Sequence, residues 1–252
     1  MALSLSQTAA LASILKPGMR VCSFGYPDVI APAHIIYEML GKDKTYDLRF
    51  RKDSNEICKR HGLKERLIPD AHSMFEQLGC WLDVFDIVTE RGCEIPCDLN
   101  HPFEETLNET YDVVLDVGTA EHVINIWQAL VNMASVVKVG GRILHENPHS
   151  GWGNHGFYSL HPTLFADFYT ANGFELLDCR LVDREGASWN VSHTKRFSTI
   201  GGDVNVFALA RRIEVKSFVF PQQTKYKSLI PAAGVSGDAA AEQQRAKEKV
   251  NV

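Results

Sequence analysis

The chain has 252 residues, 45% of them apolar, and a formal charge of −5. That length supports one large α/β domain, and an acidic balance without a Lys/Arg cluster argues against a nucleic-acid partner. No apolar run approaches the roughly 18 residues of a membrane span, so no membrane partner is expected. The six cysteines (Cys22, Cys58, Cys80, Cys93, Cys97 and Cys179) are scattered, which reads as reduced thiols of a cytoplasmic protein. Cys93 and Cys97 have no second Cys/His pair at zinc spacing, and no metal is expected.

Residues 2–15 read as a helix, punctuated by Pro17-Gly18. The run 19–24 (MRVCSF) reads as a first buried strand ending at Gly25. A helix over 31–40 follows, with Pro32 in its first turn and Gly41 at its end. A dinucleotide-binding turn would carry several glycines here, and only Gly25 is left. Asp28 stands where it can cap that helix. The next convincing strand, Trp81 to Phe85, lies farther on than the roughly 30 residues of a strand–helix–strand unit. An insertion over about 42–79 therefore intervenes, with helices at 54–61 and 71–78 behind Asp53 and Asp70 and an added strand at 46–50. It would pack on the sheet edge, over the mouth of a site, or in a homodimer contact. The locally basic stretch 42–66 is interrupted by acids and reads as solvated surface.

The strand from Trp81 ends at Asp86, whose two oxygens suit the paired hydroxyls of a ribose or simply a turn. Ile87 would then flank the base. A short third strand over 94–97 leads to Asp98-Leu99-Asn100, and 103–107 reads as a short helix. Val113-Val114-Leu115 suits a strand buried on both faces, running out at Asp116-Val117-Gly118-Thr119. Val123, Ile126, Trp127, Leu130, Met133, Ala134 and Val137 recur at helical spacing, with Lys138 in the last turn and Gly140-Gly141 as the stop. The strand Arg142 to His145 begins at once. This crossover is the unit of a parallel sheet, which takes ligands at the C-terminal ends of its strands. The run 146–158, rich in His, Gly and aromatic residues, reads as a loop closing over substrate. A helix over 159–172 and strands at 174–181 and 203–211 complete the pattern, the last with the alternation of an edge strand. One domain is expected over 1–216, followed by a partly disordered tail over 217–252.

The stretch YDVVLDVGTAEHV, then a helix, then VKVGGRILHENP, resembles the class I S-adenosylmethionine (SAM)-dependent methyltransferases over about residues 17–212. They often carry an aspartate opening the fourth strand, Glu-His at the next helix and Gly-Gly before the fifth strand. Asp112, Glu121-His122 and Gly140-Gly141 occupy those places. The resemblance implies a three-layer Rossmann-like fold: a mostly parallel seven-stranded sheet, helices on both faces, and the insertion between the first and second core strands. It implies SAM as cofactor, gripped by the strand tips at Gly25, Asp86, Asp98 and Asp116. Asp28 would meet the ammonium group, as the alternative to capping. Asp98 would accept from the adenine amino group, the Leu99 amide would meet the ring, and Gly118, Thr119 and His122 would line the donor.

The activity implied is methyl transfer to a small molecule, at oxygen. In-line transfer needs position and a dry pocket, and a hydroxyl acceptor needs a base. Histidine titrates near neutrality and suits that task. His155 is the first choice and His149 the second, with Trp152, Phe157 and Tyr158 as an acceptor wall. His122, His145 and His161 also stand near the expected mouth. Two other readings stay open. One is a catalytically silent protein of this fold that binds through its insertion. The other is an NAD-dependent or nucleotide-sugar enzyme, against which the missing glycine fingerprint counts.

Overall fold

A computed structural model describes residues 2–41, 48–198 and 200–229. The chain opens with β1 (Ala2–Leu3) and α1 (Leu5–Ile14). Ser4 and Gln7 close a reciprocal capping box at the start of α1. Then come β2 (Arg20–Phe24), β3 (Asp28–Val29) and α2 (Ala33–Leu40). The insertion supplies α3 (Ser54–Arg60) and α4 (Ala71–Gln77). Next are β4 (Trp81–Asp86), β5 (Glu94–Pro96) and β6 (Tyr111–Asp116). The second half contains α5 (Ile126–Val136), β7 (Val137–Ser150), α6 (Pro162–Ala171), β8 (Phe174–Asp183), β9 (Ser188–Asn190) and β10 (Val204–Arg212).

The main sheet runs β5-β4-β2-β6-β7-β10-β8-β9, and β1 pairs with β3 in a small parallel sheet beside it. From β5 to β7 every pairing is parallel, whereas β10 is antiparallel to both its neighbours. The mostly parallel, Rossmann-like expectation therefore holds, with eight strands in the main sheet where seven were expected. The addition is β9. Two apolar layers cover the two faces. Cys22, Phe24, Val114 and Ile143 point to α5 and α6, while their neighbours Val21, Val113, Leu115 and Leu144 point to α1, α2 and α4. The chain leaves β2 toward β4 and β5, then returns to β6 on the other side of β2. That reversal puts the topological switch point, where open α/β sheets take ligands, at the C-terminal ends of β2 and β6.

Four expectations change. β10 is not an edge strand but lies between β7 and β8. Its alternation comes from the half-covered positions Asn205, Leu209 and Arg211. α5 begins at Ile126, not at Glu121-His122, because residues 120–122 form a separate 3-10 turn and Asn125 caps α5 by accepting from the Gln128 amide. β7 runs on through Ser150, so 146–150 is strand held by β10 and only the part beyond it is loop. Gly140-Gly141 lie inside β7, where a Cβ on Gly141 would press within 2.8 Å of the Asp112 carbonyl on β6.

The insertion packs on the segment that follows β2. The Tyr26 hydroxyl donates to Asp70 at 2.6 Å, Arg66 reaches the Ile30 carbonyl, and the Arg51 guanidinium stacks 5.0 Å from the Tyr26 ring. The strand expected at 46–50 falls partly outside the described residues, and Phe50 forms an isolated bridge to Pro69. Asp70 caps α4 through the Ser73 amide, whereas Asp53 makes no cap and pairs with Arg51 instead. After β10 the chain follows α6: Asn172 exchanges two hydrogen bonds with Val219, and Phe220 packs 4.2 Å from Trp127. Residues 230–252, most of the expected tail, lie outside the described residues.

Candidate active site

The parallel strands end at one level. Phe24 of β2 pairs with Phe85 on one side and Asp116 on the other, and Asp86 pairs with Pro96. Gly25 then turns with φ at +86°, a value that favours glycine, and donates its N–H to the Phe85 carbonyl at 2.7 Å. The Thr119 hydroxyl donates to the Phe24 carbonyl at 2.6 Å, tying the turn after β6 to the tip of β2.

Asp86 sits at the open side of this row. Its Oδ1 accepts from the Val88 amide at 3.0 Å, while Oδ2 is buried without a hydrogen-bond partner. Ile87 beside it is 72% exposed. Asp98 is exposed and accepts from the Asn100 amide and side chain, which hold its carboxyl below the usual aspartate value. The Leu99 side chain is buried in the core, and its carbonyl accepts from Asn132.

Two expected donor contacts are closed off. Asp28 is only 2% exposed and neither caps α2 nor faces an open crevice. It faces Arg60 at 3.2 Å, His61 at 3.1 Å and Arg51 at 3.9 Å, all from the insertion. Burial pushes its carboxyl up, but the His61 hydrogen bond and the nearby cationic Arg60 outweigh that and hold it low. Asp116 is fully buried. Its Oδ1 accepts from the Thr119 and Ala120 amides, and its Oδ2 from Asn147 at 2.9 Å and His145 Nδ1 at 2.8 Å. Here too burial raises the carboxyl and hydrogen bonding, chiefly from His145, lowers it further than burial lifts it. The His145 ring is sealed on its far side by the Tyr169 hydroxyl at 2.5 Å.

Asn147 continues this chain outward. The same amide nitrogen donates to Glu121 Oε2 at 2.9 Å. The Glu121 side chain is fully buried, and its Oε1 has no hydrogen-bond partner. That oxygen points at two half-exposed imidazoles: His155 Nε2 at 3.5 Å and His122 Nε2 at 3.9 Å. The rings of His122 and His155 stand 4.9 Å apart, with Trp152 5.2 Å from His155. Glycine makes this meeting feasible. A Cβ on Gly156 would lie 2.9 Å from the Glu121 carbonyl, which the Phe157 amide reaches at 2.8 Å. A Cβ on Gly118, whose φ is +90°, would press on Glu121 Oε1 at 3.3 Å. The Tyr158 hydroxyl donates to the Ile124 carbonyl, while Phe157 is 65% exposed.

His149 belongs elsewhere. It faces the Leu160 carbonyl at 3.0 Å and lines a groove of about 450 Å³ with His161, His193, Lys195, Arg196 and Lys225. The two histidines chosen for base catalysis are thus divided between the Glu121 cluster and this cationic groove. Sequence reasoning missed Glu121, Asn147 and the groove. Glu121 had a signal, being the partner of His122 in the Glu-His pair; Asn147 and the groove had none, since their partners are distant in the chain.

The sequence matches no protein-family model and no curated protein. Solved structures similar to it include the Burkholderia thailandensis 1,6-didemethyltoxoflavin-N1-methyltransferase, with 1,6-didemethyltoxoflavin and S-adenosylhomocysteine bound. It shares 16% identity over 82% of this chain and 76% of that one, at a TM-score of 0.45. The 16S rRNA (adenine(1408)-N(1))-methyltransferase of Catenulisporales acidiphilia shares 11% identity over 86% and 95% of the two chains, at a TM-score of 0.43. A Zn-dependent alcohol dehydrogenase from Rhodobacter sphaeroides shares 14% over 57% and 46%, at 0.33. With every one of these scores below 0.5, it is the strand order that defines the fold.

Proposed function

We propose that the chain is a SAM-dependent methyltransferase that acts on a small molecule, at an oxygen. The observation that carries this reading is the buried, partnerless Oδ2 of Asp86, level with the positive-φ turn at Gly25. A buried carboxylate oxygen without a donor is costly, and the hydroxyls of a ribose would supply one. The exposed Ile87 gives the adenine an apolar face, and Asp98 stands at the next strand tip. When bound, SAM supplies a methyl group already activated on its sulfonium. The residues then hold and deprotonate the acceptor. Glu121, fixed from behind by Asn147, faces His155 at 3.5 Å, and His155 takes the proton from the acceptor hydroxyl. The cationic groove at His149 has the volume of a small-molecule site and suits an anionic group on the acceptor. Four of the six free cysteines are buried, in keeping with a cytoplasmic setting.

Calorimetry with S-adenosylhomocysteine tests the reading. One molecule should bind per chain, and its absence would remove the proposal. Mass spectrometry of the purified chain for co-purified S-adenosylhomocysteine gives an independent check.

A further inference from the structure

We propose that Glu121, His122 and His155 hold one divalent transition cation of the zinc class. One ligand atom from each lies within 4.8 Å of the others. The distances from Glu121 Oε1 to the two Nε2 atoms, 3.5 and 3.9 Å, are too long for good hydrogen bonds. They are close to the roughly 3.4 Å between neighbouring ligand atoms around a tetrahedral zinc ion, for bonds of about 2.0–2.1 Å. A carboxylate oxygen that is buried, unpartnered and aimed between two imidazoles is what such an ion would satisfy. The simpler account, an ion pair between Glu121 and one histidine, employs only one ring and leaves the second without a role.

The supporting shell is built for ligand geometry. Asn147 fixes the remaining carboxylate oxygen and is itself anchored on Asp116. The Phe157 and Tyr158 amides clamp the Glu121 carbonyl and so set the position of His155 in the adjoining loop. Two imidazoles and one carboxylate favour zinc, iron(II) or nickel over magnesium or calcium. Both imidazoles are exposed on one side, at 45% and 39%, so a fourth coordination position faces the mouth. On the functional reading above, an acceptor hydroxyl bound there would lose its proton to solvent more easily, and the ion rather than His155 would activate it. Only this consequence rests on that reading. The binding site itself does not.

The test uses the full chain, stripped with a chelator, dialysed, and kept reduced without SAM. Calorimetry with Zn²⁺ should give one ion per chain, and Co²⁺ should give a visible ligand-field band. His155→Ala and His122→Ala, both at half-exposed positions, should each weaken Zn²⁺ binding at least about tenfold with an unchanged thermal midpoint. Glu121→Gln should do the same. His34→Ala and the pair Cys93→Ser and Cys97→Ser should bind as the parent does. No ion bound, parent-like affinity in both histidine variants, or loss of binding only in the cysteine variant would overturn the proposal.

Discussion

Asp86 and Asp116 end the two strands that flank β2, one residue apart in register, yet they meet opposite fates. The difference lies in the next strand out. Beyond Asp116 stands β7, long and buried, which brings His145 and Asn147 to the carboxylate. Beyond Asp86 stands β5, only three residues long, which offers the Asp86 side chain no donor. A strand-end aspartate is therefore saturated by internal donors or keeps an unpartnered oxygen according to its neighbour's length and side chains. Asp28 makes the point a third time: the insertion reaches over and encloses it.

The strongest way to break this comparison is Asp116→Ala. It strands His145, Asn147 and two backbone amides, and should cost about 3 kcal/mol or more in urea unfolding. A loss below about 1 kcal/mol would mean the network is not structural. Asp86→Ala should do the reverse. It should weaken S-adenosylhomocysteine binding by roughly 1–3 kcal/mol in calorimetry while leaving the unfolding curve of the ligand-free chain in place. Gly156→Ala pushes a methyl group into the Glu121 carbonyl. A cost of about 1–3 kcal/mol in unfolding is expected, together with altered chemical shifts at His122 and His155.

A pH titration sharpens the same contrast. The folded carboxyls of Asp28 and Asp116 are held below their unfolded value of about 3.9, so the unfolded chain binds more protons as acid is added. Their contribution is complete above that pH and disappears as pH falls through the folded values. Stability should decline below about pH 4, and less steeply in Asp116→Asn. The smallest effect is expected from Arg60→Ala. Its side chain is 54% exposed, so solvent screens the pair with Asp28 and the loss should stay below about 1 kcal/mol.

Much of the fold was legible because its signals are local. Apolar runs at Val21 and Val113 mark strands enclosed by both core layers, and glycine at 25 marks the turn that ends the first of them. Even so, several local readings failed, and two show why. The 146–150 segment looked like loop because it opens a run rich in His, Gly and aromatic residues, yet β10 pairs with it across the chain. Glu121-His122 looked like the start of α5, yet residues 120–122 form a separate 3-10 turn and Asn125 caps α5 after them. At the site, residue types at strand tips were readable while their partners were not.

By itself, the sequence determined the order of the core strands and helices, the turn at the end of β2, and the residue types that reach it, because hydrophobic period and glycine placement act over a few residues. Only the tertiary structure decided which aspartates stay open and that Glu121, His122 and His155 meet. Those outcomes depend on donors and loops brought from far along the chain, 29 positions between Asp116 and His145, and no spacing along the chain encodes such a meeting.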